Sequence, residues 1–288
     1  MAKGPPPRDL VVHQLGLESG PTLILLHGLG DSGQCWPDAV QLWMPRYRIL
    51  TVDARGHGRS PRWSAGQLRA GVGETLRDDV ITLLEARGFS DDEKPVLIGH
   101  SMGGGTAAAV AATRPDLIRA VVLEDPAIHH RDAIETVEVG LERVEEVQSF
   151  IDDIDGATAR ERAGERAWQE IEVPPWAEAK QHTDVNLLAT GIAALTTPWL
   201  DLWRRIAVPS LLVTGTDDVI FSRPRLGEVA ALGNPHIEVA VVGEAGHCVR
   251  RDNPDGYHTV VDPWLESRFA PAARAQSRGL RTRTEHNP

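Results

Sequence analysis

Two short parts of this chain carry the residue types of nucleophilic catalysis, and the first centres on a serine. Gly99-His100-Ser101-Met102-Gly103 has the pattern G-x-S-x-G, directly after the apolar run 96–98 and before a stretch of small residues from Gly104 to Arg114. Glycines beside the serine allow a strand to turn sharply into a helix without side-chain collisions. We therefore predict that Ser101 is a nucleophile, with the amide of Met102 at the helix N-terminus donating to an oxyanion.

A serine hydroxyl is a weak nucleophile unless a base accepts its proton, and the second part of the chain offers a base and carboxylates. His247 ends the loop 243–247, which follows an apolar strand-like run, so we predict it as the general base. Asp217 and Asp218 follow the preceding strand-like run. Either carboxylate could orient the imidazole and stabilise its charged form, and spacing alone does not choose between them.

The elements that must position these residues form a repeating pattern. Short apolar runs alternate with segments of helical period, which is typical of an α/β fold with a mostly parallel central sheet flanked by helices. The predicted strands are Val11–Leu15, Thr22–Leu26, Arg48–Val52, Pro95–Gly99, Ala120–Leu123, Ser210–Gly215 and Glu238–Val242. Between the third and fourth of these, Leu76, Val80 and Leu84 share one helical face, which predicts a crossover helix ending at Arg87-Gly88.

The alternation stops between residues 127 and 197, where acidic helical sequence replaces the strand-like runs. Ile134, Val137 and Leu141 repeat at helical spacing, and Pro174-Pro175 precedes a second predicted helix over Trp176–Leu195. We interpret 127–197 as an inserted helical cap or lid, 1–126 with 198–270 as the core domain, and 271–288 as a basic, solvated tail.

Composition excludes several classes of function. The net charge of -11 argues against nucleic acid as a partner, and the two cysteines, Cys35 and Cys248, have no metal-ligand spacing, so no metal is predicted. The apolar runs are too short to cross a bilayer, and Met1–Leu10 has a proline run in place of the apolar part of a secretory signal. We expect a cytoplasmic protein with no membrane partner and leave its oligomeric state open.

The order of Ser101, Asp218 and His247 resembles that of the α/β-hydrolase superfamily, and the resemblance covers about Thr22 to Ser267 outside the cap. His27-Gly28-Leu29-Gly30 matches the histidine-glycine segment that this superfamily carries after an early strand, which implies that the Leu29 amide is the second oxyanion donor. The segment 53–60 is similar to the superfamily's D-x-R-G-x-G-x-S turn.

The resemblance also bears on the choice of acid. In the superfamily the acid usually lies three residues after the glycine that ends the strand, which implies Asp218 rather than Asp217. Some relatives place the acid after the preceding core strand, where Glu124 is the alternative. We interpret its neighbour Asp125 as a residue that caps the turn.

The resemblance implies a serine hydrolase, because relatives that are haloalkane dehalogenases or epoxide hydrolases attack with aspartate. We expect cleavage of an ester, lactone or thioester of a small, partly apolar substrate through an acyl-enzyme, with no cofactor. The same residues would serve a carbon-carbon bond hydrolase or a cofactor-free perhydrolase. A non-catalytic small-molecule receptor on this fold is the alternative from another class.

Several further residues are assigned at the sequence level. Trp36, Trp176 and Trp199 are predicted to line the substrate pocket, although large aromatic residues in and beside a small cap also serve as its core. His27 and His100 flank the oxyanion donors, and we expect them to support loops through hydrogen bonds. Arg55 is expected to stabilise its turn.

Overall fold

The computed structural model describes residues 9–129, 133–164 and 168–270. The predicted basic tail, 271–288, lies outside the described residues. The strands are β1 (Val12–Gly16), β2 (Thr22–Leu26), β3 (Arg48–Val52), β4 (Val96–His100), β5 (Ala120–Glu124), β6 (Ser210–Thr214) and β7 (Ile237–Val241). Each agrees with its predicted strand to within one residue at either end.

The strands form one sheet in the order β1-β3-β2-β4-β5-β6-β7. Strand β1 pairs with β3 in an antiparallel manner, and every other pairing is parallel. The predicted α/β fold with a mostly parallel central sheet is therefore confirmed. Because parallel strands end at the same edge, the segments after β2, β4, β5 and β6 meet there.

The helices cover both faces of the sheet and build the insertion. They are α1 (Pro37–Trp43), α2 (Ala65–Ala70), α3 (Val72–Arg87), α4 (Met102–Thr113), α5 (Ala133–Asp152), α6 (Ile154–Arg162), α7 (Val173–Gln181), α8 (Val185–Leu188), α9 (Trp199–Trp203), α10 (Arg223–Leu232), α11 (Val249–Asp252) and α12 (Pro254–Phe269). In the described ranges, none of these helices has the length and apolar character needed to span a membrane.

Alternating strand residues supply the cores on the two faces. Ile24, Leu97 and Val121 belong to the cluster under α3 and α4, whereas Leu25 and Ile98 belong to the cluster under α1 and α12. This is the two-residue period of strands that are buried on both sides, which explains why they appear in the sequence as continuous apolar runs. A sheet packed on both faces provides a rigid base for the loops at its edge.

Helices α5 to α9 lie between β5 and β6, and we refer to residues 127–197, which carry α5 to α8, as the cap segment. The prediction of one helix over Trp176–Leu195 is wrong, because α7 ends at Gln181. The carboxylate of Asp184 then caps a new short helix by accepting from the Asn186 amide, 3.0 Å away. The apolar residues Ile134, Val137 and Leu141 of α5 are 71%, 58% and 59% exposed, so this stripe does not pack on the core.

Candidate active site

Ser101 occupies the junction between β4 and α4 in a strained backbone conformation. Its φ of 49° and ψ of -115° lie where non-glycine residues are rare. A Cβ at Gly99 would lie 2.3 Å from the carbonyl oxygen of Gly103, and one at Gly103 would lie 2.0 Å from that of Leu26. Both flanking glycines are thus required by close backbone approach, which allows the serine side chain to project from the sheet edge.

The amides of Leu29 and Met102 lie beside this serine. Met102 is the first residue of α4, and Leu29 belongs to the loop after β2, where a Cβ on Gly28 would lie 3.4 Å from the Ser101 Cβ. Among the described residues, neither amide donates a hydrogen bond to a protein acceptor. Both N–H groups are therefore available to an oxygen on a ligand, and the dipole of α4 favours negative charge at that point.

The imidazole of His247 is held by a buried carboxylate. His247 Nδ1 lies 2.6 Å from Asp125 Oδ2, and the side chain of Asp125 is completely buried. Asp125 also accepts hydrogen bonds from the amides of Ile220 and Phe221 and from the Thr214 hydroxyl. Four donors therefore surround and orient the carboxylate, and a His247 Nδ1–H that donates to it leaves Nε2 as the acceptor of the ring.

The structure does not bring Asp218, the acid predicted from the sequence, into contact with His247, because Asp125 occupies that position. Asp217 and Asp218 are both exposed in the turn after β6, and Asp218 has a φ of 51°. This turn leads into the amides of Ile220 and Phe221, which donate to Asp125. The segment expected to supply the carboxylate therefore supplies two of its hydrogen-bond donors.

Glu124, the alternative acid, faces away from His247. It ends β5, and its carboxylate meets Arg250, whereas the next residue, Asp125, leaves the extended conformation with a φ of 34° and meets His247. The Arg250 amide and Nη1 each donate to Glu124 at 2.9 Å, and both side chains are buried. Burial raises the pKa of Glu124, and Arg250 opposes that rise.

A second buried ion-pair group joins three parts of the chain. Arg251 donates from Nε to Glu172 at 3.0 Å and from Nη2 to Asp31 at 3.1 Å. Burial alone would raise the pKa of Asp31, but Arg251, Lys180 and Arg250 hold it well below its usual range. The group connects the loop after β2, the start of α7 and the helix that follows His247.

Two neutral histidines support the loop that carries Leu29. His57 Nε2 accepts from the Gly30 amide at 3.1 Å, and His27 Nε2 accepts from the Ala54 amide at 3.0 Å. Burial lowers the pKa of both rings, which favours their neutral form, and the amide donors require Nε2 to be the nitrogen without a proton. Arg55 forms a two-pronged pair with Asp79, both contacts at 2.7 Å, as expected for a structural role in the turn.

His100 also supports a loop rather than the serine. Its Nε2 lies 3.1 Å from the carbonyl oxygen of His247, and burial lowers the pKa of the ring. Burial also raises the pKa of the neighbouring Cys248 thiol to about 12, which favours the thiol over the thiolate.

Ser101 and His247 open onto one cavity of about 390 Å³ between the sheet edge and the cap segment. No hydrogen bond joins the Ser101 hydroxyl to His247 in the described structure, which is common when no substrate is bound. The residues that line this cavity are Leu29, Gly30, Ser101, Arg143, Glu146, Val147, Phe150, Trp176, Lys180, Leu188 and His247.

Of the three tryptophans predicted to line this pocket, Trp176 does so and the other two do not. Trp36 is fully buried beneath the guanidinium of Arg250, whose carbon lies 4.0 Å from the ring centroid. Trp199 packs against Trp203 and Phe221 on the side of the sheet that α4 covers. These rings form core, the alternative that the sequence left open.

Sequence reasoning missed the two cations of the cavity, Arg143 and Lys180. Arg143 lies on the same face of α5 as Val147 and Phe150, at spacings of four and seven residues, and it is the sole basic residue of that helix. A single basic residue on an acidic helix is a sequence feature from which Arg143 could have been found. Lys180 Nζ lies 3.0 Å from the Gly30 carbonyl oxygen, a long-range contact that no local pattern indicates.

Comparison with known proteins identifies the family of this chain. A model of the alpha/beta hydrolase family matches residues 23–260. The chain belongs to this family. The hydrolase has no group of three or more potential metal ligands within the described ranges.

Individual relatives agree with the family assignment. The hydrolase is 32% identical to lipase LipV of Mycobacterium tuberculosis over 209 residues, which are 70% of this chain and 74% of the relative. It is 24% identical to the (E)-2-((N-methylformamido)methylene)succinate hydrolase of Acinetobacter baylyi, over 88% of this chain and 94% of that one. The crystal structure of an E-2-(acetamidomethylene)succinate hydrolase is similar in fold, with a TM-score of 0.71 at 21% identity over 89% of this chain and 95% of that one.

Proposed function

We propose that this hydrolase cleaves an ester, lactone or thioester of a small, partly apolar substrate through an acyl-enzyme formed on Ser101. The observation that carries the proposal is that Ser101, in a strained backbone conformation, and His247 line the same cavity. The buried carboxylate of Asp125 orients His247. Nucleophile, base and orienting acid are the groups that acyl transfer requires.

In the proposed reaction, His247 Nε2 takes the proton of the Ser101 hydroxyl as its oxygen attacks the substrate carbonyl. The negative charge that develops on the carbonyl oxygen accepts hydrogen bonds from the Leu29 and Met102 amides, each contributing about 3 kcal/mol to lowering the barrier. The bond to the leaving group breaks, and His247 returns the proton to that group. Water then attacks the acyl-enzyme with His247 again as base, which releases the acid and restores Ser101.

The cap segment is proposed to close the substrate site. Val147, Phe150 and Trp176 give the cavity an apolar wall opposite the sheet edge, and its volume suits a small acyl group. We expect activity on 4-nitrophenyl esters to be greatest for short acyl chains and to fall for chains too long for this cavity.

Labelling with a serine-directed fluorophosphonate tests the central assignment. We expect one labelled site, Ser101, together with loss of both labelling and ester turnover in Ser101→Ala. The matched control Ser90→Ala removes an exposed hydroxyl that precedes β4 and does not line the cavity, and it should behave as wild type. Labelling of another residue, or turnover in Ser101→Ala equal to wild type, would contradict the proposal.

A further inference from the structure

We propose that the substrate carries a carboxylate in addition to the bond that is cleaved, and that Arg143 with Lys180 recognises it. This inference rests on the proposed function of the Ser101 site. It starts from the composition of the cavity wall, in which two cations and one anion, Glu146, accompany the apolar residues.

The placement of Arg143 is the first step of the argument. Helix α5 is strongly acidic, yet its one basic residue is half-buried on the face that borders Ser101 and His247. Its acidic residues are Glu135, Glu138, Glu142, Glu145, Glu146 and Asp152. A guanidinium beside Val147 and Phe150 has less water around it than one on the outer face, so a carboxylate there is bound more strongly.

Lys180 approaches the same cavity from a different helix, α7. Its side chain is 15% exposed, and its ammonium contacts the Gly30 carbonyl oxygen at 3.0 Å and Asp31 at 3.8 Å. These contacts fix the ammonium next to Leu29, and an ammonium has a third N–H to donate. A carboxylate at this point would accept from Lys180, and Arg143 adds a second positive charge to the wall of the same cavity.

The remaining wall restricts the class of ligand. The cavity of about 390 Å³ is at the small end of ligand sites, and Trp176 and Leu188 provide apolar contact for a short chain. Glu146 is exposed, at the outer part of the wall, where it disfavours a second anionic group on the substrate. The chemistry that fits is a short ester or lactone with a single free carboxylate.

Charge-matched substrates test this inference directly. We would compare the 4-nitrophenyl monoester of glutaric acid with the 4-nitrophenyl ester of glutaramic acid, which replaces the carboxylate by an amide of the same shape. A second pair, 4-carboxyphenyl and 4-carbamoylphenyl butyrate, places the charge on the leaving group. In one of the two pairs we expect kcat/KM to favour the acid by about 10-fold or more, the ratio that one charge-assisted hydrogen bond supplies.

Variants of Arg143 and Lys180 test whether these residues cause the preference for the acid over the amide. Arg143→Gln should reduce the acid-to-amide ratio towards one through a higher KM for the acid, and Arg143→Lys should retain part of it. Arg160→Gln, which removes an exposed cation from α6 outside the cavity, is the matched control and should keep the wild-type ratio. Lys180→Gln should also lower the ratio, whatever its effect on the rate with the amide.

The outcomes distinguish failure of the carboxylate inference from failure of the proposed hydrolase function. Equal kcat/KM for acid and amide in both pairs, with turnover that depends on Ser101, would overturn the carboxylate site and leave the hydrolase proposal intact. An unchanged ratio in folded Arg143→Gln would overturn the role of Arg143. Absence of Ser101-dependent turnover with all four esters would count against the proposed function itself.

Discussion

At the scale of single residues, the site depends on which of several neighbouring carboxylates reaches His247. Asp125 and Glu124 are adjacent in sequence, yet one binds His247 and the other binds Arg250. Asp125 has a positive φ of 34°, so the chain leaves strand geometry at this residue. A one-residue difference at the end of a strand therefore decides which group is the proposed acid.

Asp125→Asn should lower kcat by about 10³- to 10⁴-fold, because an amide in place of the carboxylate favours the wrong imidazole tautomer and no longer stabilises the imidazolium. The measurement is turnover of a short 4-nitrophenyl ester. Asp218→Asn is the control and should retain activity close to wild type, since that side chain is exposed and does not contact His247. The reverse pattern of rates would restore Asp218 as the acid.

At the scale of elements, the junction of β4 with α4 is a close backbone contact that has no room for side chains. Gly103→Ala places a methyl group 2.0 Å from the Leu26 carbonyl oxygen, so either β2 or α4 must move. We expect a loss of soluble folded protein, or of several degrees in Tm, measured by thermal unfolding. Gly227→Ala in α10 is the control, because its added Cβ meets no atom within 4 Å and alanine favours a helix. A wild-type Tm for Gly103→Ala would refute this packing argument.

The buried pair between β5 and α11 is the second element-level contact with a measurable consequence. Arg250→Met leaves the Glu124 carboxylate buried without its cation, which should lower the free energy of unfolding by about 3–5 kcal/mol. Urea denaturation measures this loss, and exposed Arg205→Met should change it little. Adding Glu124→Gln to Arg250→Met should recover part of the stability. A loss below about 1 kcal/mol in the single variant would mean that water solvates Glu124.

At the scale of the whole molecule, stability should depend on pH through buried neutral histidines. Burial lowers the pKa of His27, His57 and His100 in the folded chain below the ordinary value of 6.5. Between the folded and unfolded pKa values the unfolded chain binds more protons, so lowering the pH favours unfolding. The contribution of these histidines is complete above about pH 6.5 and is lost as the pH falls below it.

We therefore expect the free energy of unfolding to decrease from pH 7.5 to pH 5.5, measured by urea denaturation. His57→Asn removes one of the three groups and should make the decrease shallower, whatever its effect on stability at pH 7.5. His236→Asn alters an exposed histidine and should leave the slope as in wild type. A slope that His57→Asn does not change would show that other groups cause the pH dependence.

The sequence by itself determined the strands, the sheet class, the serine turn and His247, because each depends on local information. Buried parallel strands need continuous apolar runs, and a strand that turns into a helix needs glycines at set positions around the serine. Both requirements involve only a few consecutive residues, so they can be recognised in the sequence.

Only the tertiary structure decided the partner of His247, the tryptophan that lines the cavity and the cations opposite Ser101. Asp125 and His247 are separated by 122 positions in sequence, and Lys180 and Gly30 by 150. Four carboxylates lie at or just after the ends of strands β5 and β6, which meet at the same sheet edge, so local sequence does not show which one reaches His247: Glu124, Asp125, Asp217 and Asp218. The physical reason is that backbone direction at a strand end, and the path of the inserted segment, depend on packing between distant parts of the chain.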